Sequence, residues 1–446
     1  KVNKITPKTG TSIQLGESGD TITIPCGATL TNNGTATGFG LSFCTTVKTS
    51  PFTATANKGF LINTGSAVTV TLPASPSTGA EVIIVDQTGQ SATNNITIGR
   101  NSSKIKGLCQ DATLKINRGG LRLVYSGSSQ GWITATAGND ASAGQSQYTT
   151  ATGGTITTSG DYKIHTFNSD ANFVVSQAGN ACGGGSKVSY LVVAGGGGGG
   201  GSHGAGAGAG GFREGKCTSD PYSASPLNAP DGITITAQTY PITVGAGGAL
   251  ANPSCASGNT VGGNSIFSTI TSTGGGKGST ESQTNSANAG GSGGGGTYSP
   301  NPGTTPGGSG NTPPVSPPQG SNGGNGGTYG PGAASSGGGG GATAVGTAGT
   351  PSQSGPGGAG ATTSINASPV ARAGGGAGGG TSYGAPTAGT GGTGGGGAGS
   401  PLGGSGTAGT ANTGGGGGGG AGGGPTPGQG ATGGSGVVII RYKYQN

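Results

Sequence analysis

The chain has 446 residues, of which 112 are glycine, with 4% aromatic and 7% charged side chains and a net charge of +7. This composition excludes a large aliphatic core over much of the length, and with it an ordinary enzyme domain. The 19 Lys and Arg form no polybasic block, so no nucleic-acid partner is expected; no apolar run approaches the ~20 residues that cross a bilayer and no basic segment precedes a hydrophobic one, so a soluble chain without membrane insertion or signal peptide is expected.

The chain is made of two materials. Residues 1–200 hold 32 of the glycines and residues 201–446 the other 80, while Arg372 is the only Asp, Glu, Lys or Arg between Glu281 and Arg441. Side-chain electrostatics cannot organise that second stretch, which the backbone must hold.

Residues 1–50 read as short alternating segments, Ser12 to Leu15 and Thr21 to Pro25, flanked by turn formers. Strands this short cannot bury an apolar face alone, which predicts an attachment and oligomerisation segment. Residues 51–140 carry a strand rhythm: GFLINT (59–64), AVTVTLP (67–73), EVIIVD (81–86), NITIGR (95–100), SKIKG (103–107), ATLKI (112–116), LRLVY (121–125) and GWITAT (131–136). That spacing predicts a small antiparallel sandwich or barrel with Trp132 in its core.

The segments GESGDTITIPCGATL (16–30), VTLPASPSTGAEVIIVDQTG (70–89), NITIGRNSSKIKG (95–107) and LVYSGSSQGW (123–132) resemble modules of bacteriophage tail fibres, particularly those of cyanophages. The resemblance implies all-β, commonly trimeric shaft or attachment modules.

Residues 141–194 are predicted to be β-strands entering a distal domain, 195–435 a glycine-rich bundle with Pro-rich loops, and 436–446 a closing strand. The order of KIHTFNSDANFVVSQAGNACGGGSKVSYLVVA (163–194), a seven-glycine run (195–201), GAGGFREG (208–215), YPITVGAGG (240–248) and GGSGVVIIRY (433–442) resembles the glycine-rich domain at the distal ends of phage fibres and is similar to the tip adhesins of T-even-like phages. What this resemblance implies is a homotrimeric virion protein, made in the host cytoplasm, that docks on other tail or fibre proteins and binds a host outer-surface receptor, protein or lipopolysaccharide.

Ordering glycine is costly, at about 1–2 kcal/mol of backbone entropy and more than for other residues. Polyglycine II rods, with three residues per turn and no internal hydrogen bonds, can offset it by pairing laterally on every side, because no Cβ blocks their approach. The runs 195–201, 337–341, 394–397, 414–420 and 422–424 are predicted interior rods, and stretches such as GTAGTANTGG (406–415) outer ones, with Ala, Ser or Thr at one position in three. Collagen is excluded by consecutive glycines and proline-free stretches. The predicted clamp is one sheet containing VSYLVVA (188–194), GVVIIRYKY (436–444), DYKIHTF (161–167), ITITA (233–237) and YPITV (240–244). The fold class is thus all-β with essentially no α-helix.

Of the 25 prolines, 20 lie beyond residue 200 and mark loops. Loops carrying isolated aromatics have the ingredients of a recognition surface, so Tyr222, Tyr298, Tyr329 and Tyr383 are candidate receptor contacts, against the plainer reading of rings lying over glycine backbone. Arg372 is a candidate for an anionic glycan group, against that of a solvated loop arginine. Phe267 reads as packing.

No catalytic arrangement is found. GxGxxG matches arise by chance in so much glycine, and GGGKGST (274–280) lacks the phosphate-loop ending. His165 and His203 have no thiol or carboxylate at ligand spacing, so no metal, cofactor or nucleophile relay is expected. Carboxylates that could pair for glycoside hydrolysis, among Asp161, Asp170, Asp220 and Asp231, accompany no repetitive coil with aromatic-lined clefts. The six cysteines read as small buried hydrophobes, with a Cys217–Cys255 disulfide as the alternative. A receptor-binding fibre adhesin is expected, with a non-adhesive fibre or head decoration, or an ice-binding face, as its rivals.

Overall fold

The computed structural model describes residues 42–135, 148–180, 183–251, 258–281, 287–298, 304–327, 334–380, 387–423 and 426–445. Tyr329, Tyr383, Cys26, Cys182, Cys255 and the segments 12–15 and 21–25 lie outside them. The chain divides into two compact units, one of residues 1–107 and 111–143, the other of 108–110 and 144–446. The described residues are β-strands and extended chain without a helix. None of their elements is a helix long and apolar enough to cross a membrane.

The first unit carries β1 (Ser42–Phe43), β2 (Phe52–Thr53), β3 (Lys58–Ile62), β4 (Val68–Thr71), β5 (Glu81–Asp86), β6 (Ile96–Gly99), β7 (Ala112–Leu114), β8 (Gly120–Tyr125) and β9 (Trp132–Thr134). They form two sheets, β1-β3-β5-β8-β9 and β2-β4-β6-β7. The antiparallel expectation is corrected here. Through β6, successive strands alternate between the sheets, and β1 with β3, β3 with β5, β2 with β4 and β4 with β6 all pair parallel. The first six strands therefore wind as a coil, and only β7, β8 and β9 close it antiparallel. Alternation in sequence reports which residues face inward, as in the β5 pattern of buried Val82, Ile84 and Asp86, and is blind to strand direction. SKIKG supplies only a bridge from Ile105 to Trp132. Trp132 is fully buried, edge-on to Tyr125 at 5.5 Å.

The second unit begins with β10 (Thr150–Thr152), β11 (Thr155–Ser159), β12 (Tyr162–Phe167), β13 (Ala171–Gln177) and β14 (Lys187–Val193). It continues with β15 (Phe212–Gly215), β16 (Asn228–Ala229), β17 (Ile233–Thr234), β18 (Thr239–Thr243), β19 (Ser265–Phe267) and β20 (Ile270–Ser272). The last are β21 (Ala361–Thr363), β22 (Val370–Arg372) and β23 (Val437–Lys443). The predicted clamp exists: β11-β12-β23-β14-β15-β16 form one sheet in which the closing strand β23 lies between β12 and β14. ITITA adds β17 against β14. YPITV does not join it. As β18 it belongs to a second sheet, β10-β13-β18-β19-β20, and Tyr240, Ile242 and Phe267 pack with Tyr190, Val192, Val438 and Ile440 in one core. β14 and β23 are buried along nearly their whole length because both faces are covered, the second face by Phe212, Ile365 and Ala373.

Between the strands runs the glycine lattice. The amides of Gly195 and Gly198 donate to the carbonyls of Gly263 and Thr260, those of Gly196 and Gly199 to Gly434 and Ala431, and those of Gly197 and Gly200 to Gly208 and Ala205. Each advance of three residues is a retreat of three along the partner, so these neighbours are antiparallel. The carbonyls of Gly195 and Gly198 accept from Gly275 and Gly278, those of Gly197 and Gly200 from Gly417 and Gly420, and that of Gly196 from Gly248. The first two sets advance together with the rod. One rod thus meets six neighbouring segments with the three-residue period of polyglycine II. A Cβ on Gly197 would strike the Gly276 carbonyl, and one on Gly417 the Ala431 carbonyl.

Interior rods span 195–200, 337–341 and 414–420, all buried. The run 394–397 is not one: Gly394 and Gly395 form a turn at φ of 100° and 95°. The run 422–424 leaves the interior at Gly423, which has φ of 84°. In the outer rod, Thr407, Ala408, Thr410 and Ala411 are exposed. Two positions in three accept a side chain there, because an edge rod has neighbours on one side only: Gly406 and Gly409 donate to Gln429 and Thr432, Thr407 and Thr410 to Ala398 and Gly395. One lateral bond per residue, at a net ~0.5–1.5 kcal/mol, is comparable to the ~1–2 kcal/mol entropy of ordering that residue. The lattice alone roughly breaks even, so the apolar sheets at its base decide its stability.

Candidate functional site

The rods reverse at two ends. Those leaving β14, β18 and β20 run away from the sheets, and the first turns back at Ser202 and His203, whose φ values are 45° and 53°. At this distal end Ser336 Oγ and Thr297 Oγ1 both donate to the His203 carbonyl, at 2.5 and 2.8 Å. Ser202 N donates to Gly428, Gly380 N to Ser400 and Gly422 N to Gly380. Buried hydroxyls replace glycine here because the lattice is ending and its last carbonyls need donors.

Glu281, the last acidic residue of the sequence, organises this end. Its carboxylate accepts from Ser202 Oγ at 2.7 Å, His203 Nδ1 at 3.2 Å and Tyr298 Oη at 2.8 Å. These donors, the His203 hydrogen bond foremost, hold the carboxyl at about 2, against the upward push of burial. The His203 and Tyr298 rings meet edge-on at 5.1 Å. The Glu281 side chain is 42% exposed. Leu402, in the 401–403 turn beside Ser400, is 62% exposed. The distal end therefore presents an anchored carboxylate, a half-buried tyrosine edge and an apolar side chain.

Of the sequence candidates, Tyr298 alone among the described residues lies there. Tyr222 and Arg372 stand at the opposite end, each 7% exposed. Neither is a surface loop residue. The prolines of 221–230 and 313–318 also mark reversals at the base rather than the tip, since Phe212 N bonds Gln319 beside the sheet and Ser364 N bonds Ser223.

At the base, Arg441 Nε donates to Asp220 Oδ1 at 2.8 Å, with side chains 4% and 2% exposed. Ser189 Oγ donates to Asp220 Oδ2 at 2.9 Å, and the guanidinium lies over the Tyr162 ring, 4.7 Å from its centroid. Burial raises the Asp220 carboxyl despite these partners. Burial, followed by the Glu214 and Asp220 carboxylates, raises the Tyr222 hydroxyl. A groove of about 280 Å³ beside this pair is lined by Tyr162, Lys187, Cys217, Asp231 and Lys443 among others. Cys217 is a free, half-buried thiol, which answers the disulfide alternative at that residue, and burial raises its pKa. No group of three or more His, Cys, Asp or Glu among the described residues is arranged to hold a metal ion.

The interlocked rods and their sheet clamp correspond to a recognised module: residues 175–443, more than half of the chain, match the family described as the glycine-rich domain. The chain belongs to the glycine-rich domain family. Within the match, the glycine-rich domain opens in β13 and ends with β23, so it contains the lattice and the β14, β15, β16 and β23 strands of the clamp, while β11 and β12 precede it. No curated protein sequence matches the chain.

Ser202, His203, Glu281 and Leu402 were not legible as a group. His203 and Glu281 are 78 residues apart, and only their rods' shared register brings them together. The sequence signal was isolation: a lone histidine after a glycine run, and a carboxylate at the edge of an uncharged stretch.

Proposed function

We propose that this protein is a virion tail-fibre adhesin whose glycine-rich domain presents its distal end to a receptor on the host surface. The observation that carries this reading is the polarity of the bundle: the rods are clamped by apolar sheets at one end and reverse at the other around Glu281, Tyr298 and exposed Leu402. A rigid base with varied short reversals is the arrangement recognition loops require. The order of motifs, with its likeness to phage fibre tips, supplies the virion context and the homotrimeric assembly.

The receptor is a surface protein or lipopolysaccharide, met by an apolar side chain and a tyrosine edge with hydrogen-bonding groups around them. Adsorption tests the reading. Purified chain at saturating dose should block virions carrying it from host cells, and Leu402→Ser with Tyr298→Ala should weaken that competition. Undiminished adsorption in the presence of the wild-type chain would favour a non-adhesive fibre or decoration protein.

A further inference from the structure

The hairpin β21–β22 folds over the base of the glycine-rich domain and carries a charge inward. Arg372 is 7% exposed, and its Nε and Nη1 have no hydrogen-bond partner among the described residues. Burial lowers its pKa, with Glu214 acting in the opposite sense. Glu214, 1% exposed in β15, already accepts from Ser225 N at 2.8 Å and from Thr363 Oγ1 at 2.5 Å. The two ions therefore share a site without bonding each other directly.

Two further buried oxygens without a partner among the described residues lie beside β15 and in the hairpin itself. Asn228, the register partner of Glu214 across β15–β16, has a buried Oδ1 with no donor among the described residues. Asn366, in the turn between β21 and β22, has another without a donor among the described residues, and the Tyr222 hydroxyl lies beside the Glu214 carboxylate. Thr363 and Ser364 tie the hairpin to this region through Glu214 and the Ser223 carbonyl.

We infer that a buried hydration site lies here, in which ordered water bridges the Arg372 guanidinium to Glu214 and to the Asn228 amide oxygen. The chemistry selects water over an ion. Guanidinium N–H groups need an acceptor, amide oxygens need a donor, and only a ligand that both donates and accepts serves the two. An anion would add negative charge beside Glu214 and face the Asn228 oxygen; a cation would face Arg372. Arg372 with Glu214, and Arg441 with Asp220, already balance in charge. The hairpin is thereby held through water rather than by a direct ion pair.

A crystal structure of the full chain, with a parallel bromide soak, decides this. The expected result is at least one ordered water within hydrogen-bond distance of Arg372 Nε or Nη1 and no anomalous bromide peak. A bromide peak there, or a direct Arg372–Glu214 contact without water, overturns the inference. As a second readout, ¹⁷O magnetic relaxation dispersion on wild-type protein should detect long-lived internal water whose number falls in Arg372→Leu; an unchanged number in a folded variant also overturns it.

Discussion

His165 Nε2 lies 3.0 Å from Tyr442 Oη, joining β12, which precedes the glycine-rich domain, to β23, which closes it, 277 residues later. On its other side, His165 Nδ1 lies 2.7 Å from the Gly153 carbonyl. A carbonyl can only accept, so Nδ1 carries the proton and Nε2 accepts from the tyrosine hydroxyl. The ring is fully buried and neutral, and burial lowers its pKa below the ordinary 6.5.

This tautomer makes the clamp sensitive to acid. A histidine whose folded pKa is depressed binds its proton more readily when unfolded, so its contribution is complete above about pH 6.5 and declines as pH falls below that value. The midpoint of thermal unfolding should drop between pH 7 and 5, and His165→Phe should flatten that segment of the profile. An equal slope in wild type and variant would count against the assignment.

The lattice predicts opposite fates for two small substitutions. Gly197→Ala places a methyl group against the Gly276 carbonyl and should cost about 1–3 kcal/mol. Ala408→Ser, on an exposed outer rod, should stay within about 0.5 kcal/mol. Denaturant unfolding of the two variants beside wild type measures the difference.

The Asp220–Arg441 pair is buried on both sides. Removing one partner, as in Asp220→Asn, leaves an uncompensated buried charge and should cost about 3–5 kcal/mol. The double change Asp220→Leu with Arg441→Leu should be less destabilising than the sum of the single changes, as a double-mutant cycle would read.

At the distal end, the Glu281 carboxyl should titrate with a midpoint of about 2. Its contribution is present above the ordinary 4.5 of an unfolded glutamate and is lost as pH falls through the folded value. Carbon-detected NMR of that carboxyl should show the midpoint rising in Tyr298→Phe, which removes one donor.

The sequence by itself determined the materials and the frame. Val, Ile and Thr runs had to become strands, as in VSYLVVA and GVVIIRYKY, and glycine runs without collagen spacing had to satisfy their amides sideways. Pairing β12, β23 and β14 followed from burying such runs together. Direction, register and end were another matter. Period-two alternation in 51–140 is identical for parallel and antiparallel strands, so the coil of the first unit was hidden. Proline marks a reversal whether it lies beside the sheet or far from it, which is why Tyr222 and Arg372 read as loop residues but are packed at the base. Only the tertiary structure decided which rods lie side by side, because every glycine offers the same donor and acceptor; rod lengths and the two sheets fix the register that brings Glu281 to His203 and Tyr298.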